Sequence, residues 1–289
     1  MTTTILVPAT SANLGPGFDS LGLAVSLYLK VKIGTPSEGW QVTHPFGTEV
    51  PSDERNLVVQ AALKADPNLT PHHLEVVSDI PLTRGLGSSS SAIVAGLLVA
   101  KVIGNHDWSQ AELLNVATEI EGHPDNVAPA IYGDLTVSTM VNQVVMTTKL
   151  FFPAADLVIF VPNYELLTSA SRAVLPETMP YREAVQAGSI GNALVASLAQ
   201  GNLEVAGPLL EADRYHEPYR ASLVPELEKL RKFGHDHGVI ATYLSGAGPT
   251  IMMVTKPNRG QILCNQAQTL GLNGTFKVLE IDRQGARIE

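Results

Sequence analysis

The chain has 289 residues, of which 45% are apolar and 16% are charged, and its 19 Lys+Arg against 28 Asp+Glu give a formal net charge of −9. This charge has the wrong sign for binding a nucleic-acid backbone or an anionic membrane surface, and the apolar share excludes a disordered chain. The net charge therefore favours a small molecule as the partner. The length predicts two packed domains of about 150 residues each.

The amino terminus and the single cysteine indicate a cytoplasmic protein. No Lys or Arg precedes Lys30, so we expect no secretory signal. The longest apolar run, residues 92–100, is far shorter than the roughly 20 residues of a membrane span. Cys264 has no second cysteine with which to form a disulfide, as is typical of a reducing compartment.

The first half of the chain predicts a domain of mixed helices and strands. Apolar and polar residues alternate over 27–33, as in a half-buried strand. Ser109 and Glu112 have the spacing of a capping box, which predicts a helix running to about Glu121. The predicted strands cover 4–7, 27–33, 74–77, 135–140 and 144–149, the last two as a hairpin, and the predicted helices cover 56–64, 89–103 and 109–121.

The second half predicts strands and helices in a recognisable order. Strands are expected over 157–161, 239–244, 250–254 and 275–281, and helices over 181–199, 203–215, 225–233 and 258–270. Gly234 and Gly271 are expected to end the last two of these helices. Apart from the extra helices, the order is β-α-β-β-α-β, that of a ferredoxin-like split βαβ fold. The fold class is therefore α+β, with predicted domains at 1–150 and 151–289.

A Gly- and Ser-rich segment before the helix at 89–103 has the features of an anion site. Its two glycines allow the backbone to bend closely around a ligand, and its serines lie where a helix offers unpaired N–H groups and a positive dipole end. A plain turn with a serine cap is the alternative, but it requires fewer hydroxyls. The predicted phosphate-binding residues are Pro81, Leu82, Thr83, Arg84, Gly85, Leu86, Gly87, Ser88, Ser89, Ser90 and Ser91.

Three further segments carry groups suited to a polar ligand. At the end of the helix near Glu121, residues Glu119, Glu121, His123, Asp125 and Asn126 concentrate carboxylates and hydroxyl-orienting groups. A solvated Glu121 and a structural His123 are the alternatives for those two residues. The loops at 8–19 and 245–250 add Asn13, Asp19, Gly246 and Gly248, although ordinary turns use the same residue types.

Together, the four segments resemble the GHMP kinases in order and spacing. The phosphate loop of that family is similar to residues 81–89, and its glycine-rich carboxyl-terminal motif is similar to residues 245–249. Residues 8–19 and 123–130 are similar to the members that phosphorylate L-homoserine. The resemblance covers essentially the whole chain and implies a ribosomal-protein-S5-domain-2-like amino-terminal domain, which binds ATP, followed by the ferredoxin-like domain.

The resemblance also implies roles for individual residues. Residues 81–91 would surround the phosphates of ATP, with Ser89 and Glu119 as Mg²⁺ ligands; Glu121 stays open as the acidic partner. Asp125, Glu119 and Thr168 would be catalytic, and Asp125 would act either as a general base or by orienting the hydroxyl. The homoserine site would comprise Asn13, Asp19, His123, Asp125, Arg172, Arg220 and Gly246.

The substrate chemistry agrees with these roles. A free amino acid presents a carboxylate, for which arginine has the matching planar fork, and an ammonium, for which Asp19 is suited. Surface pairing of Arg172 or Arg220 with Glu165 or Glu217 is the alternative. The resemblance thus implies ATP- and Mg²⁺-dependent phosphorylation of L-homoserine to O-phospho-L-homoserine in threonine biosynthesis. A mevalonate-type alcohol kinase and a non-catalytic ligand sensor are the competing hypotheses, and a homodimer stays open.

Overall fold

The computed structural model describes residues 3–289, and a sheet of seven strands combines six strands from their first half with one strand from the end of the chain. In space the strands run β11-β1-β2-β4-β3, and β5 pairs with β2 and β6; β3 and β4 are parallel, and the other pairs are antiparallel. The strands are β1 (Thr3–Ala12), β2 (Leu21–Pro36), β3 (Gln41–Thr43), β4 (His72–Ser78), β5 (Leu135–Val141), β6 (Val144–Leu150) and β11 (Arg287–Ile288).

Four helices cover one face of this sheet and complete the larger core. They are α1 (Leu57–Ala65), α2 (Ser88–Ile103), α3 (Gln110–Glu121) and α4 (Pro124–Tyr132). Residues 93–100 of α2 are all buried, which explains why this helix has apolar residues on every side. The predicted capping box of α3 is confirmed, because the Ser109 and Glu112 side chains each cap the other residue's N–H group.

The second sheet has the predicted split βαβ topology. Its four antiparallel strands lie in the order β10-β7-β9-β8, with β7 (Asp156–Pro162), β8 (Ala241–Leu244), β9 (Ile251–Thr255) and β10 (Gly274–Leu279). The helices of this part are α5 (Thr168–Ala173), α6 (Tyr181–Ala199), α7 (Leu203–Leu210), α8 (Glu217–Arg220), α9 (Glu226–Asp236) and α10 (Gly260–Gln268). Within residues 3–289, no helix combines the length and the apolar character needed to cross a membrane.

The end of the chain returns to the first sheet. After β10, Ser26 N–H donates to the carbonyl of Glu280 and Asp134 N–H donates to the carbonyl of Asp282. Strand β11 then pairs with β1. Residues 280–289, which the sequence assigned to the second domain, thus contact the first sheet, and residues 287–288 form one of its strands.

Several element boundaries also differ from prediction. Helix α4 was not among the predicted helices, and α7 ends at Leu210 instead of residue 215. Gly234 does not end α9: the helix continues to Asp236, and at Gly234 it packs closely against Thr242 on β8. Gly234 therefore allows the helix to approach β8 closely and does not end the helix. The prediction was wrong because a glycine near the end of a helix is typical of both roles.

Candidate active site

One cleft, formed by segments from both sheets, collects most of the predicted site residues. It is lined by Asn13, Asp19, Thr83, Arg84, Gly85, Gly87, Ser88, Ser89, Ser90, His123, Asp125, Thr168, Arg172, Arg220 and Gly246. Outside its lining lie Pro81, Leu82, Leu86, Ser91 and Glu119. Leu86 is a core residue, and the buried hydroxyl of Ser91 donates to the carbonyls of Pro8 and Gly87, so these two residues support the loop from behind.

The amino terminus of α2 presents free donors to the cleft. Gly87 occupies the N-cap position with φ 69°, and no side chain caps the helix. A Cβ atom at Gly87 would lie 2.1 Å from Thr10 Oγ1, so only glycine fits there. The first N–H groups of a helix have no intrahelical acceptor and lie at the positive end of its dipole. This geometry is suited to binding a phosphate.

The second glycine-rich loop fixes the first. Ser245 Oγ lies 2.7 Å from the carbonyl oxygen of Gly85, and Thr250 N–H donates to the carbonyl of Arg84 at 3.2 Å. Gly246 N–H also donates to the carbonyl of Ala12. The loop between β8 and β9 thereby connects the second sheet to the phosphate-binding segment.

The carboxylate that reaches the phosphate-binding segment is Glu121. Its two oxygens accept hydrogen bonds from Ser90 Oγ at 2.7 Å and Ser89 Oγ at 3.1 Å. Glu119 is not brought to the cleft: its side chain is 65% exposed and pairs with Lys64 at 2.9 Å. Residues two apart on an α-helix are about 200° apart around its axis, so the two carboxylates lie on nearly opposite faces of α3. Of the two alternatives that the sequence left open, the geometry thus favours Glu121 over Glu119.

The first turn of α4 holds the predicted hydroxyl-orienting group. Asp125 is buried, and its carboxylate accepts hydrogen bonds from His123 Nδ1 and from Asn126 Nδ2, the latter at 3.3 Å. Burial alone would lower the pKa of His123, but the hydrogen bond and charge of Asp125 outweigh it and raise that pKa above 6.5. A carboxylate oxygen of Asp19, a ring nitrogen of His123 and a carboxylate oxygen of Asp125 lie within 4.8 Å of one another, so these groups share one corner of the cleft.

Asp19 and Arg172 form an ion pair at this corner. Arg172 Nη2 and Nη1 donate to the two Asp19 oxygens at 2.7 and 3.2 Å, and both side chains are more than a third exposed. Asn13 supports the loop from beneath, because its side chain accepts from Asp19 N–H and donates to the carbonyl of Gly246. The pair thus presents one positive and one negative group to the cleft.

Arg220 has no such carboxylate partner. It is 2% exposed, and within residues 3–289 no carboxylate oxygen lies within 4.0 Å of its guanidinium. Glu165 and Glu217, the alternative partners, pair with Arg84 and Arg231 instead. Burial, reinforced by the nearby charge of Arg172, lowers the pKa of Arg220 to about 10. A buried cation with no carboxylate in contact favours binding a negatively charged ligand.

The cleft also contains Phe18, Leu166 and Ala247, which no sequence motif singled out. Asn126 and Gly248 line it as well, and the sequence had offered these two only as groups suited to a polar ligand. Asn126 had been noted for its position beside Asp125, and here it accepts a hydrogen bond from Thr10 Oγ1 at 2.8 Å. The ring of Phe18 lies 5.5 Å from the guanidinium of Arg172 and 5.4 Å from that of Arg220. No sequence signal distinguishes Phe18 from an ordinary core aromatic residue.

Comparison with known proteins gives a consistent result over the whole chain. Residues 56–134 match the family described as GHMP kinases N terminal domain, and residues 194–271 match GHMP kinases C terminal. The homoserine kinase of Lactiplantibacillus plantarum is 51% identical over 289 residues, which cover 99% of each chain. That of Lactococcus lactis subsp. cremoris strain SK11 is 49% identical, over 99% of this chain and 98% of its own.

Solved structures agree with the family match. A Listeria monocytogenes protein assigned as a homoserine kinase is 41% identical with a TM-score of 0.91, over 99% of each chain. The homoserine kinase of Cytophaga hutchinsonii is 26% identical with a TM-score of 0.87, over 100% of this chain and 97% of its own. The mevalonate kinase of L. major shares the fold, with a TM-score of 0.75 and 15% identity. The match covers 97% of this chain and 96% of the mevalonate kinase.

Proposed function

The chain belongs to the GHMP kinase family, and on that premise we propose that it transfers the γ-phosphoryl group of ATP to the side-chain hydroxyl of L-homoserine. The product is O-phospho-L-homoserine, and the step serves threonine biosynthesis. The observation that supports an amino-acid substrate is one corner of the cleft in which Asp19, a carboxylate suited to an ammonium, lies beside Arg172 and the buried Arg220, whose guanidinium has no carboxylate partner. An amino-acid substrate supplies the missing carboxylate.

The nucleotide end of the cleft is the amino terminus of α2. Its free N–H groups bind the phosphates, and they do so without a basic patch, so the net charge of −9 is no obstacle. Glu121, Ser89 and Ser90 provide only oxygen donors, which is the ligand type that Mg²⁺ prefers, so these residues fit the ion. When bound, Mg²⁺ neutralises charge that develops on the phosphates during transfer.

The amino-acid end is the corner formed by Asp19, Arg172 and Arg220. The two arginines bind the substrate carboxylate, and Asp19 binds its ammonium. The ion pair between Asp19 and Arg172 is more than a third exposed, so separating it costs about 1 kcal/mol or less. A zwitterion compensates both groups at once.

Asp125 receives the substrate hydroxyl between these two ends. It acts either as the general base or by orienting the hydroxyl, and His123 holds its carboxylate in place. Phosphoryl transfer has a loose transition state in most analyses, so positioning and charge neutralisation can supply most of the catalysis.

ADP release from Mg·ATP with L-homoserine, L-threonine, L-serine and mevalonate as acceptors tests this function. We expect turnover with homoserine and little with mevalonate, which carries no ammonium to bind Asp19. Turnover with mevalonate alone would assign a different alcohol to the cleft. Nucleotide binding without ADP release from any acceptor would instead indicate a ligand sensor.

A further inference from the structure

His216 lies directly behind Arg220 and is fully buried. Arg220 Nη1 and His216 Nδ1 are 3.1 Å apart, and His216 Nε2 is 3.0 Å from the carbonyl oxygen of Gly15. The imidazole also stacks on Phe18, with 5.4 Å between ring centroids and 24° between ring planes. One side chain therefore connects Arg220 to the loop that carries Asn13 and Asp19.

These contacts determine where the imidazole carries its proton. A guanidinium can only donate, so the bond to Arg220 requires an unprotonated Nδ1. The proton then lies on Nε2, which donates to the carbonyl of Gly15. Asp213 Oδ2 lies 3.5 Å from Nε2 and already accepts the backbone N–H groups of His216 and Glu217, so Gly15 is the better acceptor.

The same contacts set the direction of the Arg220 guanidinium. Nε donates to the carbonyl of Ser171 and Nη1 to the carbonyl of Gly246, both at 3.1 Å. Within residues 3–289, Nη2 has no hydrogen-bond acceptor, and Arg220 lines the cleft. His216 and the two carbonyls thus hold the Nε and Nη1 atoms of the guanidinium in place, whereas Nη2 is free to bind a ligand.

We propose that His216 is a positioning residue for substrate recognition: as the neutral Nε2–H tautomer, it holds Arg220 so that Nη2 faces the substrate carboxylate. The substrate part of this inference rests on the proposed function, whereas the tautomer and the contact with Arg220 do not. An arginine held in one orientation loses less conformational freedom when it binds a carboxylate.

A pair of substitutions separates the two bonds of His216. The side-chain oxygen of His216→Asn can replace Nδ1 as acceptor for Arg220, whereas the amide of His216→Gln reaches the position of Nε2 and keeps only the bond to Gly15. We expect His216→Gln to raise the KM for homoserine about 10- to 100-fold, as for loss of a hydrogen bond to a charged group. His216→Asn should keep this KM within about threefold of wild type. The KM for ATP and the kcat should change little in either variant.

His106→Gln is the matched control, because His106 stacks on Trp108, outside the cleft lining. Equal KM values for homoserine in the Asn and Gln variants, whether raised or unchanged, would overturn the proposal. A parallel rise in the KM for ATP in His216→Gln would also overturn it, because that result indicates general loosening.

Nitrogen-15 NMR of the histidine rings gives a result that depends on neither turnover nor variant folding. We expect His216 in the wild-type protein to show an unprotonated Nδ1 and a protonated Nε2. A protonated Nδ1 overturns the proposal whatever the kinetics. Absence of homoserine turnover in the wild type refutes the proposed function and the substrate part of the inference, while the ring spectrum still decides whether His216 holds Arg220.

Discussion

Substituting Glu121 by Gln removes the one carboxylate that α3 directs at the phosphate-binding segment. In the structure, Glu121 accepts hydrogen bonds from Ser89 and Ser90 at 3.1 and 2.7 Å. Glutamine keeps the size of the side chain and one oxygen, but it loses the negative charge that a divalent cation requires. The neighbouring Glu119→Gln is a matched control, because it removes the same charge from the same helix on nearly the opposite face.

The two substitutions should differ greatly in effect. Neutralising a ligand of a catalytic metal ion costs several kcal/mol of transition-state stabilisation, and about 3 kcal/mol corresponds to about a 100-fold lower kcat. Glu119 forms an exposed ion pair with Lys64, and such pairs contribute about 0–1 kcal/mol to stability. Glu119→Gln should therefore leave kcat within about twofold of wild type.

The assay is coupled ADP release at saturating homoserine and ATP, repeated over a series of Mg²⁺ concentrations. Glu121→Gln should need more Mg²⁺ to reach half of its own maximal rate, and thermal unfolding should show that both variants remain folded. Loss of activity in Glu119→Gln with wild-type activity in Glu121→Gln would refute the assignment. Wild-type activity in both would place the metal ligands elsewhere.

Three further results are expected. Asp125→Asn should lower kcat while homoserine still binds in calorimetry, and retention of most activity would exclude a general base at this position. Gly87→Ala places a Cβ atom 2.1 Å from Thr10 Oγ1 at φ 69°, so the KM for ATP should rise at least about tenfold; an unchanged value would remove the α2 terminus from the phosphate site. Burial, partly offset by Arg231, raises the pKa of Glu217 from 4.5 to about 7. Because the raised pKa favours the protonated carboxyl in the folded state, Glu217 does not destabilise the fold below pH 4.5 and destabilises it increasingly toward pH 7. In denaturant titrations, the free energy of unfolding of the wild type should fall by on the order of 3 kcal/mol relative to that of Glu217→Gln between these pH values. A constant difference between the two proteins would contradict the shift.

Local signals made the phosphate-binding segment and most helices predictable from the sequence. The glycines, the serines and the apolar run of α2 are contiguous, so their joint meaning needs no knowledge of the fold. The capping box of Ser109 and Glu112 is likewise complete within four residues. The split βαβ order was also predictable, because each strand and helix has its own periodicity.

Helix α4 was missed because its stabilising features lie outside its own sequence. Its sequence contains two prolines, and Pro124 occupies the first turn, where the missing N–H costs nothing. Pro129 leaves the carbonyl of Asp125 without its usual donor, and this carbonyl lies against Gly22 of β2, where a Cβ atom would be only 1.8 Å away. The tolerance for proline thus depends on a residue about a hundred positions earlier. As a consequence, Asp125 lies in the first turn of a helix, where the dipole favours its negative charge.

The ion pair of Asp19 and Arg172 explains why such a cleft would select a zwitterion. These residues are 153 positions apart, and their pairing is visible only in the folded chain. Before substrate binds, each neutralises the other, so any ligand that separates them must compensate both charges. An amino acid brings a carboxylate for Arg172 and an ammonium for Asp19, and the exchange is nearly balanced. A hydroxy acid without an ammonium compensates only Arg172 and leaves Asp19 without a cation beside the carboxylate of Asp125, and neighbouring like charges of this kind destabilise the complex. Selectivity therefore arises from the penalty on the wrong substrate as much as from contacts with the right one.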